Sequence, residues 1–258
     1  MTGRLRQILI NRWPELVMIV GLYSGSTILL MHLVSQFQQM ETSGDQMPGG
    51  ISFLLGLGSM SLFLILQMQM WGFLRTVACG SYEAHTPLDL LRTGTPFFWR
   101  LFGFQLLFFF AFLFVSSLVV TVLGILLFRQ HTINELPLWL QALSVFFGFL
   151  ILLKPFVLIP TLVLVYEYRL MEAVIKALGI QFFPIPYPLR LAAVGFAFFY
   201  ALLVYLSPQF EQGVFRWPFY AGEGIINSLL LLLVYLTAIL TIQDARAKSS
   251  TEENDEEL

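Results

Sequence analysis

Six stretches of apolar residues, each about as long as a bilayer is thick, occupy most of this chain, and their recurrence restricts its fold more than any motif does. They lie near 14–36, 51–74, 97–128, 138–166, 189–208 and 221–243. A helix needs roughly 20 apolar residues to cross about 30 Å of hydrocarbon, and a segment inside lipid must satisfy its own backbone hydrogen bonds. The fold class that follows is all-α: a polytopic membrane helical bundle of six transmembrane helices with short cytoplasmic or interfacial helices between them. Composition agrees, because 57% of residues are hydrophobic and only 12% are charged, a balance foreign to soluble domains. Residues 1–246 are read as a single six-helix transmembrane domain. The remaining 247–258 contain the run "TEENDEEL" and are read as a disordered acidic cytoplasmic tail.

Orientation follows from the cations, since Lys and Arg accumulate on the cytoplasmic side of a membrane protein. Eleven of the fourteen flank the inner ends of the six segments: Arg4, Arg6 and Arg12; Arg75, Arg92 and Arg100; Arg169, Lys176 and Arg190; Arg246 and Lys248. Only Arg129 and Arg216 fall on the other side. An even number of spans with this bias places both termini in the cytoplasm of a bacterial cell, with the chain a multi-pass protein of the inner membrane.

A weak internal repeat joins the inward ends of the odd-numbered segments. "WPELVMIVG", "TPFFWRLFG" and "YPLRLAAVG" each carry a proline followed seven residues later by a glycine, at Pro14 and Gly21, Pro96 and Gly103, and Pro188 and Gly195. Proline suits a first helical turn, and a glycine further in lets a neighbouring helix approach. Three tandem helical hairpins are the expected arrangement. In "HTPLDLLRTG", Thr86 is placed to cap, Pro87 to start a helix, Asp89 to sit in its first turn and Gly94 to close it, so a separate short helix is predicted. In "EYRLMEAVIKALG", Met171, Val174, Ile175 and Leu178 share one face while Arg169, Glu172 and Lys176 share another, the pattern of a helix lying along a membrane surface.

Two of these stretches also carry a resemblance. Arg92, Gly94, Phe98, Trp99 and Arg100 entering one span, and Met171, Glu172, Ala173 and Lys176 following another, are similar to signatures of poorly characterised six-helix bacterial membrane proteins. Those proteins are related to the membrane domain of some glycerophosphodiester phosphodiesterases. The resemblance covers roughly residues 50–180 and implies a fold and a cytoplasmic-membrane location, with no established activity. No phosphodiesterase catalytic domain accompanies it.

The sequence offers little for catalysis. His32, His85 and His131 lie on different segments, Ser24 in "GLYSGS" is not in a nucleophile elbow, and Cys79 near His85 has no third member. No phosphate loop or metal-binding pair is present, so an enzyme is not expected, and neither a cofactor nor a metal is called for. Ser24 and Gly25 read as a small packing face. Gln67, Gln69 and Gln105 are polar groups inside spans, candidates either for gluing helices or for contacting a ligand or partner.

Lys154, in "LILLKPFVLIP", is the one cation near mid-membrane, about 18 Å from the inner end of its helix at 1.5 Å per residue. Pro155 and Pro160 are candidate helix breaks that free the carbonyls of Ile151 and Phe156 to accept from it. Alternatively the lysine pairs with a carboxylate on a partner, faces water, or binds an anionic head group. Asp89, Arg92, Arg100, Arg169, Glu172 and Lys176 form candidate cytoplasmic docking sites. The expected partners are the lipid bilayer and another protein or a second copy in the membrane, with no nucleic acid. Two functional classes remain: a non-enzymatic assembly or lipid-interacting component of the cell envelope, and the permease subunit of an ABC-type transporter.

Overall fold

A computed structural model of the chain describes residues 2–43, 49–81, 83, 85–128, 137–178, 187–210 and 216–256, with side chains outside the description mainly at 30–43, 49–57, 59–64 and 245–256. His32, Arg129, His131, Arg216, Arg246 and Lys248 fall outside the described side chains. Every described element is a helix: α1 (Thr2–Asn11), α2 (Trp13–Ser43), α3 (Gly49–Ala78), α4 (Pro87–Phe128), α5 (Leu138–Tyr166), α6 (Leu170–Leu178), α7 (Tyr187–Phe210) and α8 (Arg216–Glu256). Each of the six apolar stretches falls inside one of the long helices α2, α3, α4, α5, α7 and α8. Among the described residues, three are long and apolar enough to cross a membrane, at Pro87–Leu126, Leu138–Tyr166 and Pro218–Asp244.

The long helices close into a ring in chain order, α2 on α3, α3 on α4, α4 on α5, α5 on α7, α7 on α8, and α8 back on α2. In its most apolar stretch α8 is 56% buried and α4 only 6%, so α8 is the more enclosed and α4 forms an outer wall. The wall presents Trp99, Phe110, Phe114 and Leu126 outward.

The tightest crossing is between α3 and α4. A Cβ added at Gly72 would overlap the Leu90 carbonyl, and one at Gly94 would overlap the Met68 carbonyl. Two glycines therefore face each other with backbones touching, which in an apolar medium matters because van der Waals contact drives helix association there. This corrects two expectations. Gly94 does not end a short helix: α4 runs unbroken from Pro87 through the interior Pro96 to Phe128, held straight against α3 at the point where it was expected to stop. The repeat glycines are not the close-approach sites either, since a Cβ at Gly21 or Gly195 meets nothing and one at Gly103 meets only a Leu170 methyl at 3.1 Å. Pro14 and Pro188 do sit in the first turns of α2 and α7.

The expected helix breaks at Pro155 and Pro160 are also corrected, because α5 continues through both. A proline removes one ladder hydrogen bond and crowds the carbonyl four residues back, but neighbouring groups can take up the freed acceptor. Here Tyr235 on α8 donates its hydroxyl to the Phe156 carbonyl at 3.3 Å, the acceptor that Pro160 leaves open. At the other end of the chain α8 stays helical to Glu256, where no regular structure was expected. Ala, Lys and Glu are good helix formers, and the segment prolongs a helix already nucleated.

Candidate functional site

Two polar regions stand out, one at the basic end of the bundle and one in its middle. At the basic end Arg12, in the joint between α1 and α2, is fully buried. Its Nε and Nη2 donate to Glu15 Oε2 at 2.8 and 2.5 Å, and Nη1 donates to Thr76 Oγ1 at 2.8 Å and to the Ser81 carbonyl at 3.4 Å. The guanidinium also lies 4.4 Å over the Phe73 ring. Glu15 uses its other oxygen to accept the His85 amide. Burial lowers the Arg12 pKa, opposed by hydrogen bonding and charge from Glu15. A charge-assisted pair of this kind, with two guanidinium N–H groups on one carboxylate oxygen and an amide on the other, ties three segments together.

The ends of α3 and α5 are finished by the same logic. Gly80, at φ 78°, ends α3 in a Schellman motif, with Gly80 N–H bonded to the Val77 carbonyl at 2.9 Å and Ser81 N–H to that of Thr76 at 3.0 Å. Gln243 on α8 donates to the Ala78 carbonyl at 2.6 Å. At the end of α5, Glu167 takes the left-handed φ of 59°. Arg75 bridges the Leu164 carbonyl and the Glu167 carboxylate, and Arg100 donates to the Glu167 carbonyl at 2.8 Å. Cations thus stand where the helix dipole is negative. Arg4 pairs with Asp244 at 3.0 Å. The predicted inner flanks of α2, α3, α4, α5 and α8 consequently meet at one end of the bundle.

Asp89 plays the part its position suggested. Its carboxylate accepts from the Thr86 hydroxyl at 2.5 Å and amide at 3.3 Å, while its own amide donates to Thr86 Oγ1, a reciprocal cap at the start of α4. The Thr86 hydroxyl and amide hold the Asp89 carboxyl below its ordinary range. Arg92, Arg169, Glu172 and Lys176 are exposed, whereas Arg100 is half-buried and engaged by α5. On α6 the buried side chains are Ala173 and Ala177, and Met171, Ile175 and Leu178 point outward. The small side chains face the bundle with Leu170 and Val174 packed partly against the core, and Met171, Ile175 and Leu178 are left for the surroundings.

In the middle lies a cavity of about 560 Å³. Phe104, Phe108 and Phe112, spaced four apart on α4, line it together with Phe149 and Phe156 of α5. Ring centroids are 4.8 Å apart for Phe108 and Phe156, 4.5 Å for Phe112 and Phe149, and 5.6 Å for Phe156 and Phe196. Trp71 meets Tyr235 edge-on at 5.4 Å. Six uncharged polar side chains from five helices join this aromatic wall: Tyr23, Gln67, Gln105, Tyr200, Asn227 and Tyr235. Gln67 is buried and pairs with the Tyr23 hydroxyl. Asn227 Oδ1 is buried with no hydrogen-bond partner among the described residues. Leu106, Phe109 and Leu113, which line the same cavity, are exposed on the outer wall, so the space opens sideways past α4.

Of the intramembrane polar residues singled out by sequence, Gln67 and Gln105 are brought together here. Gln69 is not: it is half-buried outside the cavity, and its Oε1 is without a partner among the described residues. Lys154 is half-buried and partnered, and does not line the cavity. The Phe156 carbonyl, one of the two acceptors expected for it, also accepts from the Tyr235 hydroxyl at 3.3 Å. Ser24 is buried and bonds back to the Val20 carbonyl at 2.7 Å, while Gly25 is exposed. His85 Nε2 is 2.9 Å from Ser81 Oγ, and Cys79 is exposed. Sequence reasoning did not find Asn227, Tyr23, Tyr200 or the burial of Arg12. The four-residue phenylalanine stripe on α4 was the legible signal for the cavity wall.

Helices of this length and apolarity, with an aromatic cavity open at the side, indicate a helical membrane protein. No known protein family, curated protein or solved structure matches the chain.

Proposed function

We propose that this chain is a non-enzymatic, multi-pass component of the bacterial inner membrane that binds lipid. In this reading α2, α3, α4, α5, α7 and α8 are six spans, and both termini are cytoplasmic. The observation that carries it is the side-opening cavity: large, walled by aromatic rings, and fitted with amide and hydroxyl groups in place of charges. Pockets for small amphiphiles are of this kind, predominantly apolar with a few polar groups that fix orientation. Support for the orientation comes from the gathering of Arg4, Arg12, Arg75 and Arg100 at one end of the bundle. Exposed Met171, Ile175 and Leu178 on α6 suit a helix resting its apolar face in the inner leaflet.

The permease alternative asks for a helix in the first inner loop that stands free for an ATPase. Residues 87–94 are instead the opening turns of α4, with Leu90 and Gly94 buried, which favours the lipid reading. The test is purification in native lipid discs followed by mass spectrometry of everything retained. A lipid enriched over the bulk membrane supports the proposal, and a stoichiometric nucleotide-binding subunit would replace it with transport.

A further inference from the structure

We propose that the cavity holds an uncharged amphiphile whose head carries a hydroxyl group, with its hydrocarbon tail leaving past the exposed side chains of α4. This rests on the lipid-binding reading and names the chemical class of the ligand. Three observations converge on it.

The first is the absence of charge. No Asp, Glu, Lys or Arg is among the described residues that line the cavity, and the carboxylate of Glu223, half-buried on α8, acts on Tyr200 of its wall from outside the lining. A phosphate head would enter an apolar space with no cation among the described lining residues to meet it, and an unpaired buried ion is strongly disfavoured. The bundle does pair buried charge where it uses it, at Arg12 and Glu15, so the lack of ions in the cavity is a property of that place.

The second is Asn227. Its buried Oδ1 has no partner among the described residues and needs a donor. A hydrocarbon tail cannot supply one, and neither can an ester or ketone oxygen. A hydroxyl can donate to Asn227 and at the same time accept from an amide of the same cavity, Gln67 or Gln105. Tyr235 has already committed its proton to the Phe156 carbonyl, and Tyr23 is paired with Gln67. The unmet buried acceptor among the described cavity residues is Asn227 Oδ1, and it calls for a donor.

The third is access. Leu106, Phe109 and Leu113 line the cavity and are also exposed on α4, only 6% of whose most apolar stretch is buried. A ligand dissolved in the bilayer can slide in sideways without crossing water. The volume of about 560 Å³ suits a small head and the first part of its chain.

The test uses the purified full-length protein in lipid discs doped with one of three lipids carrying identical tail-brominated chains: diacylglycerol, its acetyl ester, and phosphatidic acid. These differ only in having a free hydroxyl, a blocked one, or a charged phosphate. Trp71 in the cavity wall reports occupancy by bromine quenching, taken as the difference between wild type and Trp71→Phe. Diacylglycerol should quench saturably, with half-saturation at a mole fraction roughly tenfold below that of either analogue, a difference typical of one well-placed hydrogen bond or one unpaired charge. Asn227→Leu should abolish the preference over the acetyl ester. Gln105→Leu at the same cavity should reduce it and serves if the first variant does not fold. Equal or better binding of phosphatidic acid or of the ester overturns the inference while leaving lipid binding in place. Quenching by all three that rises linearly without saturation, together with no enriched lipid in the native discs, overturns both.

Discussion

At the basic end of the bundle Arg12 is fully buried, yet its donors are met by Glu15, Thr76 and the Ser81 carbonyl. In the cavity Asn227 is uncharged, and its buried oxygen meets nothing among the described residues. The end with the greater desolvation penalty is the one that satisfies its polar groups most fully. A buried ion must be compensated or the fold fails, whereas an unmet amide oxygen costs little enough to be kept. The difference separates a region built to hold helices together from one with hydrogen-bonding capacity left for something else.

If that separation is right, damage at the basic end should be severe and damage in the cavity mild. Glu15→Ala strands the Arg12 guanidinium and the His85 amide, and should cost about 3–5 kcal/mol, read by thermal or SDS denaturation of the purified protein. Replacing Arg12 and Glu15 together by leucine should recover most of that loss. Recovery failing to appear would mean that the network contributes through geometry and not through charge compensation.

Next in size is Gly94→Ala. Its Cβ would overlap a backbone carbonyl that cannot swing aside, so the cost should reach or exceed the roughly 3 kcal/mol upper range of ordinary overpacking. Gly195→Ala is the control: its Cβ meets nothing, and it should be neutral or stabilising by up to about 1 kcal/mol through helix propensity. Equal losses for the two would sink the account of the α3 and α4 crossing.

Within the cavity wall, Tyr235→Phe should cost about 1 kcal/mol by removing the donor to the Phe156 carbonyl. In a Pro160→Ala background an amide is again available to that carbonyl, and the same substitution should cost less than half as much. Additive losses would show that Tyr235 acts by packing alone.

The smallest effect should also have the opposite sign. Asn227→Leu removes an unmet buried acceptor and should leave the lipid-free protein unchanged or stabilise it by about 1 kcal/mol. A clear destabilisation would show that Asn227 is structural and would erase the contrast between the two regions.

Much of the architecture was legible beforehand because it depends on local quantities. Apolar run length located every long helix, since a chain segment must close its own hydrogen bonds whatever it packs against. The capping chemistry of Thr86, Pro87 and Asp89 is also local, and the start of α4 follows it. The errors share one cause. Gly94 looks like an ending and Pro96 like a new beginning, and Pro155 and Pro160 like a break, when only neighbours in sequence are considered. In the structure Gly72 across the interface makes Gly94 a contact point, and Tyr235 supplies the donor that Pro160 removed.

The candidate site divides along the same line. Gln67 and Gln105 were visible as polar residues inside apolar runs, and they do meet at the cavity. Lys154 was the most conspicuous of all by sequence, and it lies elsewhere. By sequence Arg12 is one of eleven cations that flank the inner ends of the apolar segments. Nothing near it in the sequence shows that Thr76, Ser81 and His85 will enclose it. Sequence by itself determined that this chain is helical, that its helices are long and apolar, and that its cations gather at the ends of those helices, because hydropathy, charge and backbone hydrogen bonding act over a few residues. Which polar groups end up paired and which are left facing a cavity was decided only in the tertiary structure, because that depends on side chains tens to hundreds of residues apart arriving at the same few ångströms.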